Sequence, residues 1–161
     1  MAVEVERKFL VCNDNWRTQC DTGLVYRQAY IFLQTAGGVL RVRIAGDRAV
    51  LCLKIGKTML RRLEYEYEIP PADAGEIMKE CCDYPPVVKR RHRLTYDGSL
   101  WEVDEFLEKN DGLVLAEIEL AHEEEHFSRP PWMGREVSDD TRYLSFNLYR
   151  RPFTTWPPHE R

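Results

Sequence analysis

The sequence predicts a mainly β, α+β fold: a closed eight-stranded antiparallel barrel, forming a tunnel, with flanking helices. Three observations predict it. Apolar and polar residues alternate with period two in eight separate stretches. Turn chemistry falls between many of them: "AGG" before Val39, "AGD" at 45–47, "YDGS" at 96–99 and "KNDG" at 109–112. Helical patterning is confined to short interruptions. Strands this numerous and this closely spaced favour closure, because a closed barrel leaves no unpaired edge.

The first strand covers residues 4–11, "EVERKFLV", with Val5, Arg7 and Phe9 on one face and Glu4, Glu6, Lys8 and Leu10 on the other. Strands follow at 25–33, 39–44, 49–55 and 62–69. The stretch "PPADAGEIMKECC" has prolines at its entry and predicts a helix over 72–82. Strands at 87–96, 100–106 and 115–121 complete the set. A turn of helix is expected over 123–127. A closing helix is expected over 138–148, with Ser138 or Asp139 as its N-cap, and then an irregular tail, "TTWPPHER". No linker or low-complexity segment divides the chain, so residues 1–161 read as one domain.

Composition narrows the function classes. With 31% charged and 43% hydrophobic residues the chain reads as soluble and globular, with a heavy ionic load. A net charge of −4 argues against nucleic acid and membrane surfaces as partners. There is no basic-then-apolar leader pattern and no apolar run near the ~20 residues of a membrane span. The five cysteines, Cys81-Cys82 among them, lack metal-type spacing and read as reduced thiols. A cytoplasmic monomer or homodimer is the expectation.

The charges carry the functional signal. Glu4-x-Glu6-x-Lys8 recurs in other forms: Arg41-x-Arg43, then Lys54, Arg62-x-Glu64-x-Glu66-x-Glu68, Lys89-x-Arg91-x-Arg93, Glu102-x-Asp104 and Glu117-x-Glu119. Period two places each set on one face of its strand. Two readings fit. In one, these faces are wet exteriors over a sandwich core, which would mix Lys, Glu, Ser and Thr freely. In the other they line a lumen. Whole strands of one sign favour a partner of opposite charge, since like charges side by side repel. A basic wall facing an acidic wall suits a polyanion bridged by divalent cations: Arg and Lys take the phosphate oxygens and carboxylates take Mg²⁺ or Mn²⁺.

The stretches "EVERKFLV", "LRVRIAGDRAVLCLK", "RRLEYEYEIP", "VVKRRHRL", "WEVDEF", "LVLAEIEL" and "PWMGREVSDDTRYLSFNLYRRPF" together closely resemble the CYTH domain, or triphosphate tunnel metalloenzyme, superfamily. The resemblance runs from Glu4 to about Phe153 and implies an eight-stranded tunnel. It implies metal ligation by Glu4, Glu6, Asp104, Glu117 and Glu119. It implies phosphate binding by Lys8, Arg41, Arg43, Lys54, Lys89 and Arg91, with Arg135 where a basic residue is frequent. Glu64 and Glu66 match a second acidic pair, for a second metal or for placing the attacking water. Tyr30 matches a tunnel tyrosine able to pair with Lys8, and the 138–148 segment a helix that plugs one tunnel mouth. Two positions depart from the pattern, Ser145 for Asn and His92 for Tyr.

The implied function is metal-dependent hydrolysis of a linear triphosphate, inorganic tripolyphosphate first. Lys8, Tyr30 and Glu66 would be the catalytic residues and Mg²⁺ or Mn²⁺ the cofactor. Alternatives are a nucleoside or thiamine triphosphate hydrolase, an adenylyl cyclase, and a non-catalytic polyphosphate- or nucleotide-binding module. One fold hosts several chemistries.

Overall fold

The computed structural model describes residues 3–32, 38–55 and 62–161, with backbone alone at 3, 4, 54, 62 and 63. The expected end of the second strand at residue 33, and the first residues of the "AGG" turn, lie outside the described residues.

Strand β1 (Val3–Val11) has the most partners. One edge pairs through residues 5–10 with β8 (Val114–Leu120). The other edge is shared. Val3 and Glu4 pair with β5 (Arg62–Ile69), whereas Phe9 and Val11 pair with β9 (Met133–Glu136). The remaining strands are β2 (Leu24–Phe32), β3 (Val39–Ala45), β4 (Arg48–Ile55), β6 (Val87–Tyr96) and β7 (Ser99–Leu107). The order is β5-β4-β3-β2-β6-β7-β8-β1-β9, with antiparallel pairing throughout.

The expected eight-stranded closed barrel is therefore corrected: the sheet has nine strands and is not closed along its length. It curls until β5 meets β1, and among the described residues two pairs, Val3 with Leu63 and Glu4 with Arg62, join them. Strand β9 takes the rest of that edge. Its four residues are too few to display a period-two pattern. Gly134 permits the approach, because a Cβ there would stand 2.8 Å from the Leu10 carbonyl oxygen. The "YDGS" turn behaves as read, with Asp97 (φ 47°) and Gly98 (φ 82°) both left-handed between β6 and β7.

Helix α1 (Pro71–Glu80) begins at its proline and ends before the cysteine pair, two residues short of the expected limit. It packs Ala74, Ile77 and Met78 on Val42, Ile44, Ala49, Leu51 and Ile69 of the outward face. A second apolar layer covers β1, β7 and β8, where Phe9, Trp101, Val103 and Ile118 lie under Trp16, Phe127 and Trp132. Full burial of a side chain such as Phe9 contributes about 1.5–3 kcal/mol.

The C-terminal segment differs from the single helix expected over 138–148. It forms a 3₁₀ turn at Thr141–Tyr143, capped by Asp140, and then α2 (Ser145–Arg150). Leu144 is extended (φ −68°, ψ 131°), which separates the two. Ser138 is no cap here; its hydroxyl accepts from the Lys8 backbone N–H at 3.0 Å. Residues 123–127 form a turn and coil rather than helix. The tail has short 3₁₀ turns, fixed by buried Trp156, whose Nε1 donates to the Arg151 carbonyl at 3.0 Å. Inward-facing Tyr30, Val87, Phe106 and Leu115 pack on Val137, Tyr143, Leu148, Tyr149 and Trp156, so this segment covers the apolar part of the inward face. No helix among the described residues is long and apolar enough to cross a membrane.

Candidate active site

Register brings the charges together. Across the β1–β8 ladder Glu6 opposes Glu119 and Lys8 opposes Glu117. Glu117 opposes Glu102 across β7–β8, and Asp104 opposes Arg91 across β6–β7. Directly opposed residues share a face, so four strands present one charged surface.

Its side chains form a network. Lys8 Nζ donates to Glu6 at 2.5 Å and to Glu117. Arg91 grips Asp104 with a fork, Nε to Oδ1 at 2.7 Å and Nη2 to Oδ2 at 2.6 Å, and reaches Glu102 and Glu117 as well. Lys89 donates to Asp104, which is fully buried. Burial opposes the charges on Lys8, Lys89, Arg91, Asp104 and Glu117, and the neighbours decide the outcome. Asp104 stays below the usual carboxyl range because Arg91 and Lys89 outweigh burial. Glu117 is held well below it by Lys8 and Arg91. The Lys8 ammonium is raised against burial by Glu117 and Glu6. Lys89 goes the other way: burial, and then the Arg91 charge, lower it.

A second group lies on β3–β5. Arg41 opposes Cys52, which opposes Glu66. Arg41 donates to Glu64 and Glu66, and Arg43 to Glu66, all at 3.1 Å. The Cys52 thiol donates to Glu64 at 2.8 Å. Cys52, Glu64 and Glu66 each bring a donor atom within 4.8 Å of the others. Arg43 is pushed down by burial and then by Arg41.

The other expected residues are placed as follows. The Tyr30 hydroxyl accepts from Gln28 at 2.8 Å, and its ring packs on Tyr149. Glu119 is exposed at the solvent end of the β1–β8 ladder. Glu4 and Lys54 fall on the charged parity by register, opposite Arg62 and Glu64; their side chains lie outside the described residues. Arg135 is exposed on β9 and acts electrostatically on Asp140. Three inward residues were missing from the expected site. Glu102 was legible by its parity with Asp104, whereas Cys52 was masked by the apolar run "AVLCLKI". Gln28 gave no signal.

The carboxylates on β1, β7 and β8 offer oxygen donors only, which suits a hard divalent cation. Glu6, with 23% of its side chain exposed, and Glu119 are accessible from solvent. The clustered cations suit phosphoryl oxygens. A family model for the CYTH domain matches residues 2–152. The chain belongs to the CYTH domain family. This CYTH domain is 46% identical over 153 residues to an inorganic triphosphatase of Acetivibrio thermocellus, covering 95% of this chain and 97% of that protein. It is 35% identical over 146 residues to an inorganic triphosphatase of Nitrosomonas europaea, covering 87% and 92%. A crystal structure of an inorganic triphosphatase superposes with TM-score 0.66 at 32% identity, covering 92% of this CYTH domain and 95% of that chain.

Proposed function

We propose that this CYTH domain hydrolyses a linear triphosphate, with inorganic tripolyphosphate preferred, to pyrophosphate and orthophosphate. The observation that carries the reading is the gathering of charge on one inward surface, with Arg41, Arg43, Lys89 and Arg91 converging on acidic residues from β5, β7 and β8. The names of the relatives agree with it.

In this reading Arg41, Arg43, Lys54, Lys89 and Arg91 bind the phosphate oxygens and align the chain for in-line displacement, with Arg135 supplementing them at the rim. Lys8 stays protonated beside Glu6 and Glu117 and offsets charge on the transferred phosphoryl group. Glu66, exposed yet tethered by Arg41 and Arg43, orients the attacking water and accepts its proton. Tyr30 stands directly opposite Arg41 across the β2–β3 ladder and helps to set the place of that arginine. Water oxygen bonds to the terminal phosphorus as the bridging P–O bond breaks, and pyrophosphate leaves with the electron pair. Glu4, Glu6, Asp104, Glu117 and Glu119 would hold Mg²⁺ or Mn²⁺, with Glu64 available to a second ion. The cation, when bound, neutralises phosphate oxygens.

Product analysis at equal concentrations of tripolyphosphate, ATP and pyrophosphate, with Mg²⁺ or Mn²⁺, tests this. Tripolyphosphate should show the highest kcat/KM, pyrophosphate should be poor, and ATP should yield no cyclic AMP. An ATP rate above the tripolyphosphate rate, or cyclic AMP as the main ATP product, overturns the reading.

A further inference from the structure

Arg43 on β3 and Arg91 on β6 belong to strands that do not pair with each other, because β2 runs between them. Yet both guanidiniums lie over one ring, Tyr26 of β2, at 5.6 Å and 5.8 Å from its centroid. Register explains how. Tyr26 stands directly opposite Ala45 and Lys89, while Arg43 opposes Gln28 and Arg91 opposes Leu24. The two arginines are thus diagonal neighbours of the tyrosine, one on each flank and displaced toward opposite ends of β2.

The chemistry of β2 sharpens the point. Its inward positions are Leu24, Tyr26, Gln28, Tyr30 and Phe32, without a formal charge among them. A strand with a neutral inward face therefore separates two with basic inward faces. The arginines it separates are unequally compensated. Arg91 is paired with Glu102, Asp104 and Glu117, whereas among the described residues the carboxylate on Arg43 is Glu66, shared with Arg41 and 42% exposed. Arg41 and Arg91 both repel Arg43. An aromatic face attracts cations through its quadrupole but carries no charge of its own. A carboxylate in the same place would hold the arginines more strongly, and it would also neutralise them and repel phosphate.

We propose that Tyr26 is a positioning residue whose ring fixes Arg43 and Arg91 as a two-pronged clamp for neighbouring phosphoryl groups, without consuming their charge. The inference rests on the reading of these arginines as phosphate ligands. The ring is what matters, not the hydroxyl.

Steady-state kinetics with tripolyphosphate and saturating Mg²⁺ test it, with the urea midpoint of each variant measured alongside. Tyr26→Phe should keep KM within about twofold of wild type. Tyr26→Leu should raise KM about tenfold with kcat changed by less than about threefold, the pattern of lost binding. Tyr26→Met serves if the leucine variant has a depressed midpoint. In an Arg43→Ala background the leucine substitution should add less than about threefold to KM, because the ring then has one prong left to hold. Such coupling is not expected of a residue that only fills space. Equal damage from Tyr26→Phe and Tyr26→Leu, or an undiminished effect in the Arg43→Ala background, overturns the inference alone. A wild-type protein inactive on tripolyphosphate overturns the function reading and this inference with it.

Discussion

Lys8 and Glu117 oppose each other directly across the β1–β8 ladder, and their side chains meet as an ion pair with 10% and 9% of their surfaces exposed. Removing one member of a buried pair strands the other's charge. Lys8→Met should therefore destabilise the ligand-free protein by about 3 kcal/mol, near the low end of such effects because Arg91 still reaches Glu117. Urea unfolding checks this, and a loss below about 1 kcal/mol would mean that the pair adds little to the fold.

The same network makes stability sensitive to acid. Asp104 and Glu117 are held below their ordinary values of 3.8 and 4.5, so in the acid range the folded chain binds fewer protons than the unfolded one. Their contribution is fully present above those ordinary values and is lost as pH falls through the lower folded values. The urea midpoint should accordingly be insensitive to these two groups above about pH 5 and should decline below it. Asp104→Asn should start from a lower midpoint and show a shallower acid decline.

Strand parity separates Arg7 from Arg43. Arg7 points outward to Glu136, with Nε to Oε1 at 2.8 Å, whereas Arg43 points inward to Glu66. Arg43→Ala should weaken tripolyphosphate binding by about 1.5–3 kcal/mol, as a charged hydrogen bond is lost. Arg7→Ala should leave KM within about twofold, because an outward arginine touches no substrate. Equal rises in KM would show that the wrong face was assigned to the substrate.

Acidic residues should respond through the metal instead. Glu6→Ala or Glu119→Ala should raise the Mg²⁺ concentration needed for half-maximal rate by at least about tenfold, with a smaller change in KM at saturating metal. An unchanged metal requirement in both variants would remove the β1–β8 pair from the ligand set.

Substrate and metal together should stabilise the fold by mass action, by about 2.7 kcal/mol at a hundredfold excess over Kd. Calorimetric melting checks this, with orthophosphate expected to do less. A melting temperature indifferent to both additions would show that the charged surface binds neither.

Much of this arrangement was legible in the chain. Alternation in "EVERKFLV" and "LAEIEL" assigned Glu6, Lys8, Glu117 and Glu119 to one side of their strands, and the ladder seats them opposite one another. Period two reports which face a residue takes, but not which residue on the next strand it meets. The Arg43–Tyr26–Arg91 contact depends on that second quantity, since it is diagonal across two ladders. Strand β9 escaped because four residues carry too little pattern, and its fit is set by Gly134 against Leu10. The closing helix was overextended because "SDDTRYLSFNL" has good capping residues throughout its start. Asp140 caps the first turn, and extended Leu144 then interrupts the run.

The C-terminal segment also shapes the inward face. Tyr143, Leu148, Tyr149 and Trp156 seat against Tyr30, Phe106 and Leu115 in one apolar cluster beside the charged surface. Exposure rises away from that cluster, from buried Asp104 to exposed Glu119. In the proposed reaction, substrate and product would both pass over the exposed end, so departure and arrival compete for the same ground. The slow event of a turnover can then be the release of product rather than the breaking of a bond.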